Sequence, residues 1–279
     1  MNCPLCSREN LKTIYGSGSR KVLSCAGCGL IFLHPFPEPD TLGGLYDDDY
    51  FKICYLPEDR LKAKREFYKG ELDRIRRHAQ TGRSLDVGCS VGTFMEVAAE
   101  GGWDVRGIDI AEFAVETARK TFGDRVRLGA LSDLTFGNDV FDLITFWDTL
   151  EHMPDPVSAL RIARGKLRDS GLLVIKVPNT VKILFHVVKV LKLLGLNAES
   201  PIVHIPTHLF HYRRESIERL LSETGFEVAG ISFLNEKKAQ LTEHTYPTLN
   251  AFKRMFFYIL HLMNYKESMI IHARPATER

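Results

Sequence analysis

Two glycines and an acidic residue near position 90 form a pattern that suits a charged small molecule. The stretch Leu85 to Phe94, LDVGCSVGTF, is an apolar run that reaches Asp86, turns at Gly88 and Gly92, and enters a helical pattern. Glycine lets the backbone approach a ligand closely, and amides at the start of a helix attract an anion. The loop therefore favours a ligand with an anionic group for the amides and a cation for Asp86.

The same loop argues against a dinucleotide. A dinucleotide fingerprint would carry a third glycine where Met95 stands, and Asp86 would repel a pyrophosphate. A second apolar run ends in Asp109, about 20 residues further on, where α/β nucleotide folds bind ribose hydroxyls. S-adenosylmethionine carries a carboxylate, a cation and a ribose, and it is the ligand that these residues favour.

Strand and helix patterns alternate around this loop. Helical spacing of apolar residues predicts a helix at 111–122. Apolar stretches predict strands at 85–87, 103–109, 126–128, 141–148, 171–179 and 225–234. This alternation predicts an α/β fold with a parallel sheet, in which ligands bind at the carboxyl ends of the strands.

The chain resembles the class I S-adenosylmethionine-dependent methyltransferases over roughly residues 85–234. Five motifs occur in order: LDVGCSVGTF, GIDIAEFAV, FDLITFWDTLEHMPDP, GLLVIKVPN and HLFHYRRESIERLLSETGF. The resemblance implies a Rossmann-like, seven-stranded, mostly parallel sheet, with residues 268–274 as its closing antiparallel strand. It also implies direct transfer of a methyl group from the cofactor, but it does not specify the acceptor.

The resemblance assigns cofactor contacts by position. Residues of the glycine loop would line the methionine half, Asp109 would hold the ribose, and the chain near 130 would flank the adenine. The implied cofactor-binding residues are Asp86, Gly88, Cys89, Gly92, Asp109, Ile110, Ala130, Leu131, Trp147 and Asp148.

Two positions in this set and the neighbouring Ser90 need comment. Ser90 replaces a glycine that is common in the family, which is tolerable if φ there is negative. Ala130 stands where many relatives have an aspartate, so we expect a backbone contact to the adenine there. Cys89 is expected to be a small packing residue rather than a nucleophile.

Two histidines are candidate bases for removing a proton from the acceptor. His152 follows the strand 141–148 with Glu151 beside it, and His208 precedes the predicted helix 213–224. Histidine suits this role because its charge changes near neutral pH. For His152, a structural or cofactor-side role is the alternative.

A metal at the same place is a second alternative. Asp148, Glu151 and His152 carry ligand atoms of the kind that bind a divalent ion. His211 and Tyr212 are further, weaker candidates on the acceptor side.

Four cysteines near the N-terminus have the spacing of a zinc ribbon. Cys3 and Cys6 form one C-x2-C pair, and Cys25 and Cys28 form a second, followed by Gly29. Four thiolates leave no open coordination position, so the predicted zinc is structural. Two disulfides or four unrelated cysteines are the alternative.

Two apolar segments follow the fifth and sixth predicted strands. Residues 180–195 and 250–265 are broadly apolar with a few basic residues, and both leave from the edge of the sheet where methyl transfer would occur. We expect a hydrophobic lid. It would pack on itself, line a pocket for an apolar or lipid-linked acceptor, or rest in a membrane interface.

The connector between ribbon and core has two notable features. Tyr46, Tyr50 and Phe51 either cover the bound cofactor or pack as aromatic contacts between ribbon and core. The predicted helix 61–79 is dense in charges of both signs, which favours a solvated face over nucleic-acid contact.

Composition limits the remaining choices. The chain has 279 residues, a net charge of +2 and 44% hydrophobic residues, so we expect one large core with a small appendage. The predicted organisation is a zinc ribbon (1–36), a connector with a helix (37–80) and a methyltransferase core (81–279) with lid insertions at about 180–205 and 245–265. Free thiols and the absence of a secretory pattern favour the cytoplasm, with peripheral contact at the inner face of the membrane through the lid as the alternative.

The leading functional prediction is methyl transfer to a small molecule, a sugar or a lipid-linked acceptor. An RNA methyltransferase that uses the ribbon to bind nucleic acid is one alternative, although the near-neutral charge argues against it. A catalytically silent, cofactor-binding scaffold is the other. The sequence does not specify the oligomeric state.

Overall fold

Two β-sheets and the helices around them make up the structure, which is a computed structural model. It describes residues 1–17, 19–38, 48–133, 139–180, 182–193, 207–234 and 268–277. In chain order the strands are β1 (Leu11–Ser17), β2 (Arg20–Cys25), β3 (Ile31–His34), β4 (Arg83–Val87), β5 (Asp104–Asp109), β6 (Val126–Leu128), β7 (Phe141–Trp147), β8 (Leu167–Pro178), β9 (Phe210–His211), β10 (Phe226–Leu234) and β11 (Ser268–Pro275). The helices are α1 (Asp48–Cys54), α2 (Glu58–Ile75), α3 (Thr93–Glu100), α4 (Glu112–Phe122), α5 (Pro156–Lys166), α6 (Lys182–Leu193) and α7 (Arg214–Glu223).

The large sheet has the strand order β10-β11-β8-β7-β4-β5-β6. Strands β8, β7, β4, β5 and β6 pair in parallel, and β11 runs antiparallel to both of its neighbours. The seven-stranded, mostly parallel α/β fold is therefore confirmed, and so is the closing antiparallel strand. The carboxyl ends of β4, β5 and β7 lie together at one edge of this sheet.

Buried strands at the centre explain the continuous apolar runs in the sequence. In β7 every residue except Asp142 is buried, and in β8 the stretch from Gly171 to Val177 is buried throughout. Parallel strands covered on both faces have this composition, whereas strands with one wet face alternate.

The small sheet joins the N-terminal ribbon (residues 1–36) to the core. Its order is β1-β2-β3-β9, with antiparallel pairing throughout. Strand β9 comes from the methyltransferase part of the chain, between α6 and α7. The apolar cluster of the ribbon is continuous with that of the large sheet, from Val22 through Phe185 to Phe146.

The charged helix α2 uses its charges for local pairing. Arg74 pairs with Glu71 and Lys69 with Glu66 within the helix, while Arg65 pairs with Glu96 on α3. The Lys69–Glu66 pair is exposed, as expected of a solvated helix face, whereas Glu71 is buried on the inner face of the helix.

The first apolar insertion forms the helix α6. On α6, Phe185 and Val188 are fully buried, and the Phe185 ring lies 6.4 Å from that of Tyr15 on β1. Its buried face thus packs on the ribbon. The second insertion, 250–265, lies outside the described residues. Within the described ranges, no helix is long and apolar enough to cross a membrane.

Candidate functional site

The glycine loop after β4, residues 88–92, is a tight turn with three left-handed residues. Gly88 has φ +75°, Ser90 +51° and Gly92 +86°. The negative φ that would make a serine tolerable here is therefore not present: the loop keeps the left-handed conformation of a glycine although Ser90 occupies the position. A side chain in this region is strained by its Cβ.

Asp109 at the end of β5 holds this loop in place. One carboxylate oxygen accepts a hydrogen bond from the Ser90 amide (2.8 Å), and the other accepts one from the Ala111 amide (2.9 Å). Burial raises the pKa of Asp109 above its usual value, although these hydrogen bonds oppose the shift. Asp109, the residue predicted to bind the ribose, therefore also fixes the shape of the loop.

Residues predicted to flank the adenine lie beside Asp109. The Gly129 amide donates to the Asp109 carbonyl (2.9 Å), which brings Ala130 and Leu131 next to that acid. Ile110 is 60% exposed, among the most exposed large apolar side chains of the described chain. An exposed apolar side chain at this position can cover a flat ring.

Asp86 is a buried carboxylate on the central strand. It is 3% exposed and accepts a hydrogen bond from the Thr145 hydroxyl (2.7 Å). Burial raises the pKa of Asp86 to about 7, with the hydrogen bond from Thr145 opposing the shift. A cationic ligand beside this group would offset the cost of burying its charge.

Trp147 and Asp148 end β7 at the same edge. Asp148 has φ +50°, and both of its carboxylate oxygens accept hydrogen bonds from the Lys176 ammonium (2.5 and 2.7 Å). Trp147 packs against the rings of Phe94 and Tyr68, 5.2 and 5.3 Å away. The predicted pair therefore forms a wall of the cleft, with Asp148 held by a lysine.

The cleft contains residues that the sequence did not indicate. Its lining includes Asp86, Gly88, Cys89, Trp147 and Asp148, together with Tyr55, Lys64 and Tyr68 from the region of α1 and α2. The cavity that these residues enclose has a volume of about 30 Å³. Tyr55, Lys64 and Tyr68 were not predicted to line the site, because the mixed charges of α2 indicated a solvated helix. The aromatic residues at 55 and 68 were the feature of the sequence that could have identified them.

Cys89 and Phe51 are packing residues on either side of the loop. Cys89 is 3% exposed, and burial raises the pKa of its thiol well above the usual value. A thiol in this state is a poor nucleophile. The Phe51 ring stacks on Phe113 of α4 at 6.0 Å, and Tyr50 lies edge-on to Phe51. Tyr46 lies outside the described residues.

The two candidate bases, His152 and His208, lie together beyond the carboxyl end of β7. A short 3-10 turn, Leu150–His152, follows Asp148, and the His152 and His208 rings lie 4.8 Å apart in an edge-to-face arrangement. Atoms that could bind a metal ion, one from each of Glu151, His152 and His208, all lie within 4.8 Å of one another. In this cluster His208 occupies the place that the divalent-ion alternative gave to Asp148, which is paired with Lys176.

The protonation state of His152 follows from its contacts. Its Nδ1 lies 2.9 Å from the Thr207 carbonyl oxygen. A carbonyl only accepts, so Nδ1 carries the proton and Nε2 keeps the lone pair. Burial lowers the pKa of His152, which favours the neutral ring at physiological pH.

The other two acceptor-side candidates are buried. His211 is 2% and Tyr212 1% exposed, and the His211 ring lies 5.1 Å from Phe185 on α6. Burial raises the pKa of Tyr212 well above its usual value. Both residues support the packing beneath His208.

The four N-terminal cysteines form a compact sulfur cluster. All four are free thiols, and their sulfurs lie within 4.8 Å of one another. Cys3 and Cys28 are 3.5 Å apart, as are Cys6 and Cys25, close to the spacing of about 3.8 Å that Zn–S bonds of about 2.3 Å give in a tetrahedron. The geometry fits a structural zinc.

Each cysteine pair is closed by a left-handed residue. Ser7 follows Cys6 with φ +56°, and Gly29 follows Cys28 with φ +76°. The Gly27 amide also points at the Cys25 sulfur (3.3 Å). These two matching turns, which we call knuckles, would present four thiolates to one ion.

Similarity to known proteins extends over most of the chain. A family model described as a methyltransferase domain matches residues 60–230. The ubiquinone biosynthesis O-methyltransferase of Nitrosospira multiformis is 32% identical over 123 residues, 41% of this chain and 52% of that protein. Its namesake from Methylococcus capsulatus is 26% identical over 189 residues, 63% of this chain and 76% of that protein. The chain spans about half the length of the first curated relatives it matches, with 39% for the Bordetella avium protein and 52% for that of Nitrosospira.

Solved structures share the fold at low identity. A SAM-dependent methyltransferase from Archaeoglobus fulgidus has a TM-score of 0.55 and 22% identity, over 82% of this chain and 100% of that one. Magnesium protoporphyrin IX methyltransferase from Synechocystis PCC 6803, with bound SAH, has a TM-score of 0.56 and 14% identity, over 86% of this chain and 100% of that one. At these identities the likeness shows the fold alone.

Proposed function

The chain belongs to the S-adenosylmethionine-dependent methyltransferases, and from that premise we propose that it methylates a hydroxyl group on a small apolar molecule. One observation carries the proposal. His152 lies four residues beyond Asp148, which lines the cleft, and its ring lies 4.8 Å from that of His208. A neutral imidazole there can take the proton that a hydroxyl loses on methylation.

The donor would bind along the carboxyl ends of β4 and β5. The ammonium of Lys64, which lines the cleft, would meet its carboxylate, and Asp86 its positive charge. Asp109 would hold the ribose, with Ile110, Ala130 and Leu131 along the adenine. The sulfonium supplies both the methyl group and the leaving group.

The protein's own part is to orient the acceptor and to accept a proton. With Nδ1 donating to Thr207, the His152 Nε2 keeps the basic lone pair, and it lies 4.0 Å from a Glu151 carboxylate oxygen. The acceptor proton would pass to this Nε2. Glu151, which is 1% exposed, would stabilise the imidazolium that results.

The acceptor's apolar character is inferred from α6. Val190 and Leu193 are 55% and 79% exposed on this helix, which has no acidic residue and lies after β8 on the acceptor side. The relatives named for ubiquinone biosynthesis support a hydroxyl acceptor, since that name specifies O-methylation. We extend this to a phenolic acceptor with an apolar substituent.

The four cysteines would hold a structural Zn²⁺ and fold the ribbon. Four thiolate ligands would leave the ion no open position for a substrate. The zinc would therefore take no part in the transfer.

The test is a methyl-transfer assay with two acceptors. Purified full-length protein is incubated with isotopically labelled S-adenosylmethionine and either a catechol or the same catechol with a prenyl chain, and products are identified by mass spectrometry. We expect one added methyl group on oxygen, with a lower KM for the prenylated acceptor. Titration calorimetry with the donor runs in parallel, so that failed binding and a wrong acceptor can be told apart.

Two outcomes would overturn this proposal in different ways. Donor binding without a product from either catechol would reject the phenolic acceptor. Product formation with an equal KM for both catechols would reject the apolar preference. Leu193→Glu on α6 should raise the KM of the prenylated acceptor only, and Lys69→Glu on exposed α2 is the matched surface control.

A further inference from the structure

A short segment of the core, residues 207–212, is bonded to the ribbon. Ile31 pairs with His211 and Phe32 with Phe210, across strands β3 and β9. The Leu33 amide adds a hydrogen bond to the Leu209 carbonyl (2.9 Å). We call residues 207–212 the docking segment.

The ribbon side of this contact begins at the cysteines. Strand β3 starts three residues after Cys28, and the Cys25 amide donates to the Leu30 carbonyl (2.9 Å) directly before it. A backbone path of hydrogen bonds therefore runs from the second knuckle, through β3, to the docking segment.

The other side of the docking segment holds the histidine turn. The Leu209 amide donates to the Glu151 carbonyl (2.9 Å), and the Thr207 carbonyl accepts from the His152 ring. Leu209 thus bonds to the ribbon through its carbonyl and to the turn through its amide. His208 lies between these contacts and carries the second imidazole.

Aromatic packing reinforces the ribbon side. The Phe210 ring lies 5.4 Å from Phe36 and 6.5 Å from Phe32, and Leu209 and Phe210 are almost fully buried. The only regular structure in the docking segment is the two-residue strand β9. Its conformation therefore depends on partners, and β3 is one of them.

We propose that the four-cysteine ribbon is a positioning element for His208 and His152. This inference rests on the proposed function, because it assigns those histidines to the acceptor side. A ribbon of this size has too small a core of its own to fold alone. Its apolar cluster joins that of the large sheet, but the two cysteine turns that precede and follow β1 and β2 would be held together only by a metal. Metal binding would therefore order β3, β3 would order the docking segment, and that segment would set the two imidazoles.

The proposal separates the two halves of the site. Hydrogen bonds that shape the donor side, from Ser90 to Asp109 and from Thr145 to Asp86, lie within the large sheet. Loss of the metal should leave donor binding intact and disturb the acceptor side. An element that served only for overall stability would affect both.

The experiment compares the full-length protein with a Cys25→Ser/Cys28→Ser double variant. Zinc content, donor affinity by calorimetry, amide hydrogen exchange and the imidazole NMR signals of His152 and His208 are measured. We expect donor affinity to stay within about threefold, while exchange protection across the docking segment falls at least about tenfold. The signals of His152 and His208 should move towards those of solvent-exposed rings.

A second variant covers the case in which the double variant does not fold. Phe36→Ala removes a ring that touches Phe210 but leaves all four cysteines, so zinc should be retained while the docking segment still loses protection. Lys12→Ala, exposed on the far strand β1, is the matched control and should change nothing. Unchanged protection and unchanged imidazole signals in Phe36→Ala would overturn the proposal.

These readouts remain decisive if the proposed function fails. If His152→Ala and His208→Ala both keep full turnover, the base assignment is wrong, yet exchange and NMR still report whether the ribbon positions the rings. If turnover depends on both histidines but the docking segment is as protected without zinc as with it, the positioning role is wrong.

Discussion

The proposed donor half and the proposed acceptor half of the site are built in different ways. Asp86, the glycine loop and Asp109 lie within 24 residues of one another, on adjacent parallel strands. The acceptor half brings together residues 31–36, 148–152 and 207–212, which are far apart along the chain. A donor shared across a large family is met by a local motif, whereas the acceptor region is assembled by tertiary contacts.

This difference predicts that the two halves can be impaired separately. Changes in the donor half should act on cofactor affinity, and changes in the acceptor half should act on turnover at unchanged cofactor affinity. Each prediction below tests one half, in order of decreasing effect.

Removal of an acceptor-side imidazole should have the largest effect. We expect His152→Ala to lower kcat by about 10²- to 10⁴-fold, because a positioned base contributes this much to proton transfer. His208→Ala should also lower kcat. Steady-state kinetics and calorimetry should show a donor Kd that does not change.

The control for these variants is His78→Ala. His78 is exposed and accepts at its carbonyl from Arg274, just before β4 and away from the cleft. It should turn over like the unmodified protein. A loss of donor affinity in His152→Ala would contradict the separation of the two halves.

Loss of Asp109, the residue predicted to bind the ribose, should have the next largest effect, and this effect is on donor affinity. Asp109→Ala removes the acceptor for the Ser90 and Ala111 amides as well as the predicted ribose contact. Hydrogen bonds to a charged group contribute about 1.5–3 kcal/mol each, so donor affinity should fall by about 10²-fold or more. Calorimetry measures this directly.

Asp104→Ala is the matched control, since Asp104 begins the same strand at its opposite end. It pairs with Arg106 and is 42% exposed at its side chain, so its loss should leave donor affinity unchanged. Normal binding by Asp109→Ala would show that the donor lies elsewhere.

The pH dependence of donor binding should be moderate. Burial raises the pKa of Asp86 to about 7 in the free protein. A cationic donor favours the carboxylate and lowers this pKa, so affinity should fall about tenfold per pH unit below 7 and level off above it. In the free protein the sign is reversed: the stability from Asp86 is full below its unfolded pKa near 4 and is lost as pH rises through about 7.

Asp86→Asn tests the assignment, because the amide keeps an acceptor for Thr145. Its donor affinity should be weaker and nearly independent of pH between 5 and 8. An unchanged slope in this variant would place the titrating group elsewhere.

The contrast between halves also decides what the sequence could reveal. Periodicity and loop chemistry over short stretches predicted a parallel sheet, its strand positions and the turn at Gly88 and Gly92, and the family resemblance added the seven strands with their closing antiparallel strand. They did not reveal the left-handed φ of Ser90, because a residue type does not report its own φ. Tyr55, Lys64 and Tyr68 were missed because only the packing of α2 against the core brings them to the cleft.

Pairing between distant segments was beyond the reach of these patterns. Nothing in the two residues Phe210 and His211 indicates that they complete a sheet with the ribbon. The spacing of the four cysteines predicted a zinc ribbon. Its attachment beside His208, however, depends on which strand pairs with the edge strand β3, and tertiary packing and register determine that pairing.

The smallest expected effect concerns strain in the donor half. Ser90 has φ +51°, and its buried hydroxyl has no hydrogen-bond partner among the described residues. Ser90→Gly relieves the strained Cβ, worth about 1–2 kcal/mol, at an entropic cost of about 0.5–1 kcal/mol. It also removes the unpaired hydroxyl, so the free energy of unfolding should rise by about 1 kcal/mol in urea titrations.

Donor affinity should survive this change, because glycine keeps the amide that donates to Asp109. Ser7→Gly, at φ +56° in an exposed knuckle, removes similar strain without a buried hydroxyl and should stabilise less. If Ser90→Gly lowered both stability and donor affinity, the serine would be a working part of the loop. Its hydroxyl would then belong among the cofactor contacts, and the donor half would depend on more than the local motif.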